Sequence, residues 1–153
     1  MPPGPKPLIP MDPAQDQEPE GTPAHLLLGR RGEDAAEEFL LARGFAILER
    51  NWRFRQWEID FICEQDGTLV FVEVKTRGPG SLGTPEDGLT AGKRKRLVRA
   101  ASEYLSRKKA WERPCRFDLV TVTERQGALW VEHHENAFDL QTLRGGHAHW
   151  QPW

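Results

Sequence analysis

Residues 69 to 76 read LVFVEVKT, a run of β-branched and aromatic residues interrupted by Glu73 and Lys75. Asp60 lies thirteen residues before Glu73, in WEIDFICEQ, with the pair Asp66-Gly67 between the two segments. An Asp-Gly pair between alternating apolar runs is a strong hairpin signal. A two-residue turn there predicts Asp60 opposite Glu73 and Glu58 opposite Lys75. Directly opposed residues have Cβ atoms roughly 4.5 to 5.5 Å apart, and like charges in that relation are destabilising. Two chemistries could justify Asp60 against Glu73. In one, Lys75 and nearby arginines neutralise the carboxylates on a solvated sheet face. In the other, the carboxylates converge on a hard divalent cation such as Mg²⁺, which takes one or two carboxylates together with water and substrate phosphate. Lys75 would then stand beside the metal-bound water.

The elements that must position these groups follow from periodicity. Strand alternation places Glu58, Asp60 and Ile62 on the same side as Phe71, Glu73 and Lys75, with Ile59, Phe61, Val70, Val72 and Val74 on the other. Three consecutive strands are predicted from FAILERNWRF, WEIDFICEQ and TLVFVEVKT, and two more from RFDLVTVTE and ALWVEHH around Gln126-Gly127. Before them, LLLGRRGEDAAEEFLLARG has helical spacing in Leu28, Gly32, Ala36, Phe39 and Leu40, with Gly44 as its stop. Glu33 lies at the edge of that stripe, while Asp34 and Glu38 point away. A second helix, LTAGKRKRLVRAASEYLSRKKA, has an apolar face of Leu97, Ala100, Ala101, Tyr104 and Leu105. Lys95, Arg96 and Arg99 lie opposite, and Lys93 lies one turn before Leu97, near the apolar stripe and directed back toward the sheet. The loop TRGPGSLGTPEDG precedes this helix, and loops of that length are often functional.

Charge is unevenly distributed. The net charge of −2 conceals a segment from Gly92 to Arg116 with ten Lys or Arg against only Glu103 and Glu112. That stretch suits a polyanion, or, more blandly, a solvated helix face. Eight of the twelve prolines fall in residues 1 to 23, which predicts a disordered tail there. One domain is expected over residues 24 to 143, followed by an irregular tail from 144 to 153. With no apolar run long enough for a membrane span and no secretory signal pattern, a cytoplasmic protein without membrane contact is expected. Cys63 and Cys115 match no metal spacing and read as free thiols.

Together the segments GRRGEDAAEEFLLARGF, ILERNWR, EIDFI, LVFVEVKTR, AASEYL and RFDLV resemble the YraN-like family. That family is similar to archaeal Holliday-junction resolvases and to the PD-(D/E)xK nuclease superfamily. The resemblance runs from about Gly29 to Val122. It implies an α/β fold with a restriction-endonuclease-like core: a mixed central sheet of about five strands flanked by helices, in the order α-β-β-β-α-β-β. It also implies that Asp60 and Glu73, with the Val74 carbonyl, hold Mg²⁺ or Mn²⁺. Lys75 takes the place of the active-site lysine and Glu33 that of a first-helix glutamate. Glu58 falls where the family keeps a glutamate before Ile-Asp. One departure is Trp57, where family members usually have Gly.

The expectation is therefore a metal-dependent endonuclease that hydrolyses DNA phosphodiester bonds at branched or junction structures. Lys93, Arg94, Lys95, Arg96 and Arg99 would hold backbone phosphates, an attraction selective for structure rather than sequence. Junction resolvases work as dimers, so the resemblance also admits a homodimer. The alternative is a non-catalytic nucleic-acid-binding protein that keeps the nuclease fold.

Overall fold

The structure is a computed structural model, and it describes residues 6–10, 21, 23–80 and 89–138. Most of the Pro-rich N-terminal segment, residues 81–88 of the Gly-rich loop and the C-terminal residues from 139 onward lie outside the described part.

The described residues form eight elements. Strand β1 spans Lys6–Pro10 and helix α1 Ala24–Ala42; strands β2, β3 and β4 span Ala46–Phe54, Trp57–Gln65 and Thr68–Arg77. Helix α2 spans Ala91–Lys108, and strands β5 and β6 span Cys115–Arg125 and Ala128–His134. From α1 onward the order is the expected α-β-β-β-α-β-β. The strands form one sheet in the order β1-β6-β5-β4-β3-β2. Only the β4 to β5 pairing is parallel, and α2 makes the crossover between these two strands.

Within the Pro-rich segment, residues 6–10 form β1. It pairs antiparallel with β6 at the sheet edge, with an irregularity between Pro7 and Ile9. Composition signals that a segment cannot fold alone, but it does not register an edge that an extended chain can complete. Proline lacks a donor and is tolerated at such an edge.

The helices cover opposite faces. α1 buries Gly32, Ala35, Ala36, Phe39 and Leu40, the face that the helical spacing predicts. Beneath it lie Phe61, Cys63, Val70, Val72, Val120 and Val122. α2 buries Leu97, Ala100, Ala101, Tyr104 and Leu105 over Ile62, Phe71, Phe117 and Leu119. The Thr90 hydroxyl accepts from the Lys93 amide at 3.2 Å and caps α2.

The turn Asp66-Gly67 has φ +50° and +80° and sets the predicted register, so Gln65 pairs with Thr68 and Cys63 with Val70. The β3 to β4 ladder runs to Phe61 with Val72 and records no pair beyond it. β3 continues on β2 instead, through Trp52 with Ile59 and Phe54 with Trp57. The sheet is therefore forked, and Asp60 stands at the point of division. The fork corrects two expectations. Ile59 packs in the core under α2 rather than with Phe61 under α1. Glu58 pairs with Arg53 of β2 rather than with Lys75.

The cause is visible across the ladder from Asp60. Asn51 has φ +51°, which shifts the alternation of β2 by one residue. Asn is among the few non-glycine residues that tolerate this region. Arg50 and Asn51 both reach toward α1, and Trp52 then turns to the α2 side.

Candidate functional site

Where β3 leaves β4, the Val74 amide has lost its ladder acceptor, since a continued register would have offered the Ile59 carbonyl. The Asp60 carboxylate replaces it, accepting from Val74 N–H at 2.8 Å. In an extended strand the amide and carbonyl of one residue point to the same side. The Val74 carbonyl is accordingly directed into the fork beside Asp60.

Two carboxyl groups meet at this place, and a third acts on it through its charge. Asp60 comes from the fork itself, Glu73 from the α2 side of β4, and Glu33 from α1 across the sheet. Burial pushes the Asp60 carboxyl up to about 8; the charge of Glu73 adds to this, the Val74 amide opposes it, and Glu33 and a hydrogen bond with Glu73 raise it further. Only an open fork allows a helix on one face and a strand on the other to address the same carboxylate.

Gly32 makes the approach of Glu33 feasible. A Cβ at Gly32 would lie 2.1 Å from the Thr76 hydroxyl oxygen, so α1 rests on β4 with no space for a side chain. Glu33 is then fixed by Asn51, whose amide donates to Oε2 at 3.3 Å, and by Arg50 at 3.7 Å. Arg50 also binds Asp34 and Glu37, each at 2.6 Å, and so ties β2 to α1.

The basic residues divide. Lys93 points back to the sheet as its position on the helix predicts, and its Nζ lies 2.5 Å from Glu73 Oε1. Lys75 is half-buried beside Thr121 in the parallel register, and none of the ion pairs among the described residues involves it. Arg94 donates to the Leu89 carbonyl at 2.9 Å and lies over the Phe138 ring. Lys95, Arg96 and Arg99 are exposed on the outer face of α2. Glu58 stays outside the cluster, in an exposed pair with Arg53 at 3.4 Å.

A buried carboxylate that no spacing in the chain announces, Asp118, lies on β5 under the α1 face. Asp118 accepts from Arg116 Nε at 3.0 Å, from the Asn136 amide at 3.1 Å and from His133 Nε2 at 2.7 Å. His133 is enclosed between the edges of Phe39 and Phe45. The motif RFDLV offers a sequence signal in the Arg two residues before Asp118, but His133 arrives only through the pairing of β5 with β6.

Both thiols are free, Cys63 buried and Cys115 half-buried. Burial pushes Cys63 up to about 12 and Cys115 to about 11. Among the described residues, no group of three His, Cys, Asp or Glu side chains is arranged to hold a metal ion. The fork instead offers two carboxylates and a carbonyl, a hard-oxygen set of the kind Mg²⁺ accepts alongside water and phosphate. The half-buried Asp60 beside Glu73 is the feature a bound cation would relieve, in competition with Lys93. No described helix is long and apolar enough to cross a membrane.

Fold and site together define an α/β protein with a carboxylate-lined fork in a mixed sheet. The model of Uncharacterised protein family UPF0102 matches residues 32–122, and the chain belongs to that family. This bears out the YraN-like resemblance at the level of the family. A UPF0102 protein of Nitratidesulfovibrio vulgaris strain DP4 is 52% identical over 126 residues, covering 82% of this chain and 94% of the relative. One from Lawsonia intracellularis is 42% identical over 127 residues, covering 82% and 96%. A solved structure of SfsA from Pyrococcus furiosus, in complex with Ca²⁺, aligns with a TM-score of 0.35 and 16% identity over 72% of this chain and 63% of that one. A likeness of that size supports no statement about this chain.

Proposed function

We propose that the protein is a divalent-metal-dependent nuclease of the PD-(D/E)xK superfamily that hydrolyses DNA phosphodiester bonds. The observation that carries this reading is the fork: a strand separation that brings Asp60, Glu73 and the Val74 carbonyl to one point, with Lys75 on the same strand. Asp60, Glu73 and the Val74 carbonyl would hold Mg²⁺ or Mn²⁺, and the ion would supply Lewis acidity toward a scissile phosphate and a water more easily deprotonated than in bulk.

The remaining roles belong to side chains. Lys75 orients the attacking water and steadies charge that develops on the phosphate. Glu33, held by Asn51 and Arg50, takes a water proton on the α1 side of the fork. Lys93 balances the charge of Glu73 at the α2 side. Lys95, Arg96 and Arg99 hold backbone phosphates on the outer face of α2, an attraction that weakens as salt rises. The substrates are branched or junction DNA, and a homodimer would present two forks to one junction.

The Lys93 to Glu73 ion pair favours a second reading, in which the ammonium permanently occupies the cation's place and the protein binds DNA without cutting it. Cleavage assays on linear, flapped and four-way-junction DNA with Mg²⁺ or Mn²⁺ separate the two. The nuclease reading expects junction cleavage that Lys75→Ala and Asp60→Asn abolish. Metal-independent binding with no cleavage by the wild type supports the second reading, and equal activity in both variants removes the site assignment.

A further inference from the structure

Beyond the fork, β2 and β3 continue as a two-stranded ribbon, and one face of it is aromatic. Trp52 and Phe54 share that face by alternation, and Phe54 is the ladder partner of Trp57. Their rings form a row: Trp52 to Phe54 is 6.5 Å between centroids at 20°, and Phe54 to Trp57 is 5.9 Å at 24°. Trp52 anchors the row on α2 through an edge contact with Tyr104 at 5.5 Å. Phe54 and Trp57 remain half-buried at the outer end.

Guanidinium groups are interleaved with the rings. Arg107 of α2 lies 4.3 Å from the Phe54 centroid, and Arg55 lies 5.2 Å from it. Arg53 extends from the opposite face of the ribbon with its side chain 72% exposed. The pairs Arg53 with Glu58 and Arg107 with Glu103 are exposed and compete weakly for these cations.

The turn itself is unusual. Asp66-Gly67 and Gln126-Gly127 close the other two hairpins with a glycine second, whereas the turn at residues 55–56 has none; the first residue has the same positive φ in all three, +55° at Arg55, +50° at Asp66 and +51° at Gln126. Gly, Asn or Asp is the preferred occupant of such a position.

We propose that Trp57 and Phe54, with Arg55 and Arg107, form a stacking platform for the unpaired bases of single-stranded DNA. Aromatic faces accept any base, and guanidinium groups add stacking and hold the phosphates between. Bases within a duplex stack on one another and cannot use the platform. The ribbon is one arm of the fork and β4, carrying Glu73 and Lys75, is the other, so the platform and the carboxylates are built on the same strand separation. This deepens the nuclease reading and rests on it for the claim that the strand is cut, but binding requires only the platform.

The test uses the full chain in EDTA, with fluorescence polarisation of a labelled oligothymidine of about 16 nucleotides and of a duplex of equal length. Trp57→Ala and Phe54→Ala are each expected to weaken oligothymidine binding about 5- to 100-fold and duplex binding less than about 2-fold. Trp57→Phe is expected to retain tight binding. Arg55→Gly relaxes the turn, so its fold persists even where Trp57→Ala fails to fold, and it is expected to weaken oligothymidine binding. Unchanged binding by Arg55→Gly, or equal loss for both DNAs in Trp57→Ala, overturns the platform. Cleavage of the same DNAs with Mn²⁺ is scored separately. Trp57-dependent binding without any wild-type cleavage overturns the nuclease reading and leaves the platform standing.

Discussion

Asp60 is a half-buried and Asp118 a buried aspartate on sheet strands, and their surroundings are opposite. Around Asp118 stand a guanidinium, an imidazole and a backbone amide. Around Asp60 stand one backbone amide and two further carboxyl groups. The first carboxylate has its partners built in, and its work is to fasten β5, β6 and the chain after them. The second has no cation of its own among its direct partners, and the carboxylates that act on it are paired elsewhere, Glu73 with Lys93 and Glu33 with Arg50.

Breaking each site sharpens the contrast. Asp118→Ala leaves Arg116 and His133 without their shared acceptor and should destabilise the protein by about 3 to 5 kcal/mol, read from urea unfolding. Asp60→Asn should not unfold the chain, because the amide oxygen can still accept from Val74. Its cleavage rate should fall at least about 100-fold, as should that of Lys75→Ala. An Asp60→Asn protein as unstable as Asp118→Ala would erase the distinction.

Smaller effects test how Asp60 acquired its neighbours. Gly32→Ala forces a methyl against Thr76 and should cost about 1 to 3 kcal/mol, less in combination with Thr76→Ala. The raised Asp60 pKa, about 8, predicts a pH effect of defined sign. Between the unfolded value of about 3.9 and 8 the native state keeps a proton that the unfolded chain has released, so stability falls as pH rises through that window. Asp60→Asn removes this dependence. Its melting temperature relative to wild type should be higher at pH 8.5 than at pH 5, and an equal difference at both would contradict the assignment.

Much of the frame was legible in the chain. Alternation and Asp66-Gly67 fixed the β3 to β4 hairpin to the residue, and helical spacing selected the buried faces of α1 and α2. The fork was not legible, because alternation assumes that a strand keeps one phase and Asn51 breaks it. The error carried Ile59 to the wrong core and paired Glu58 with Lys75. Asp60 and Glu73 nevertheless meet, since the carboxylate itself bridges the gap to β4. The Asp118 cluster escaped because its members come from segments whose proximity depends on sheet order. Lys93 was placed correctly by its helical position, although it meets Glu73 rather than presenting its charge outward.

Direct binding of Mn²⁺ at pH 8, followed by loss of the free-ion electron paramagnetic resonance signal, tests the central claim at its source. Wild-type protein is expected to bind the ion, and Asp60→Asn and Glu73→Gln to lose that binding while remaining folded. Equal Mn²⁺ binding by all three proteins, or none by the wild type, would contradict the fork as a cation site.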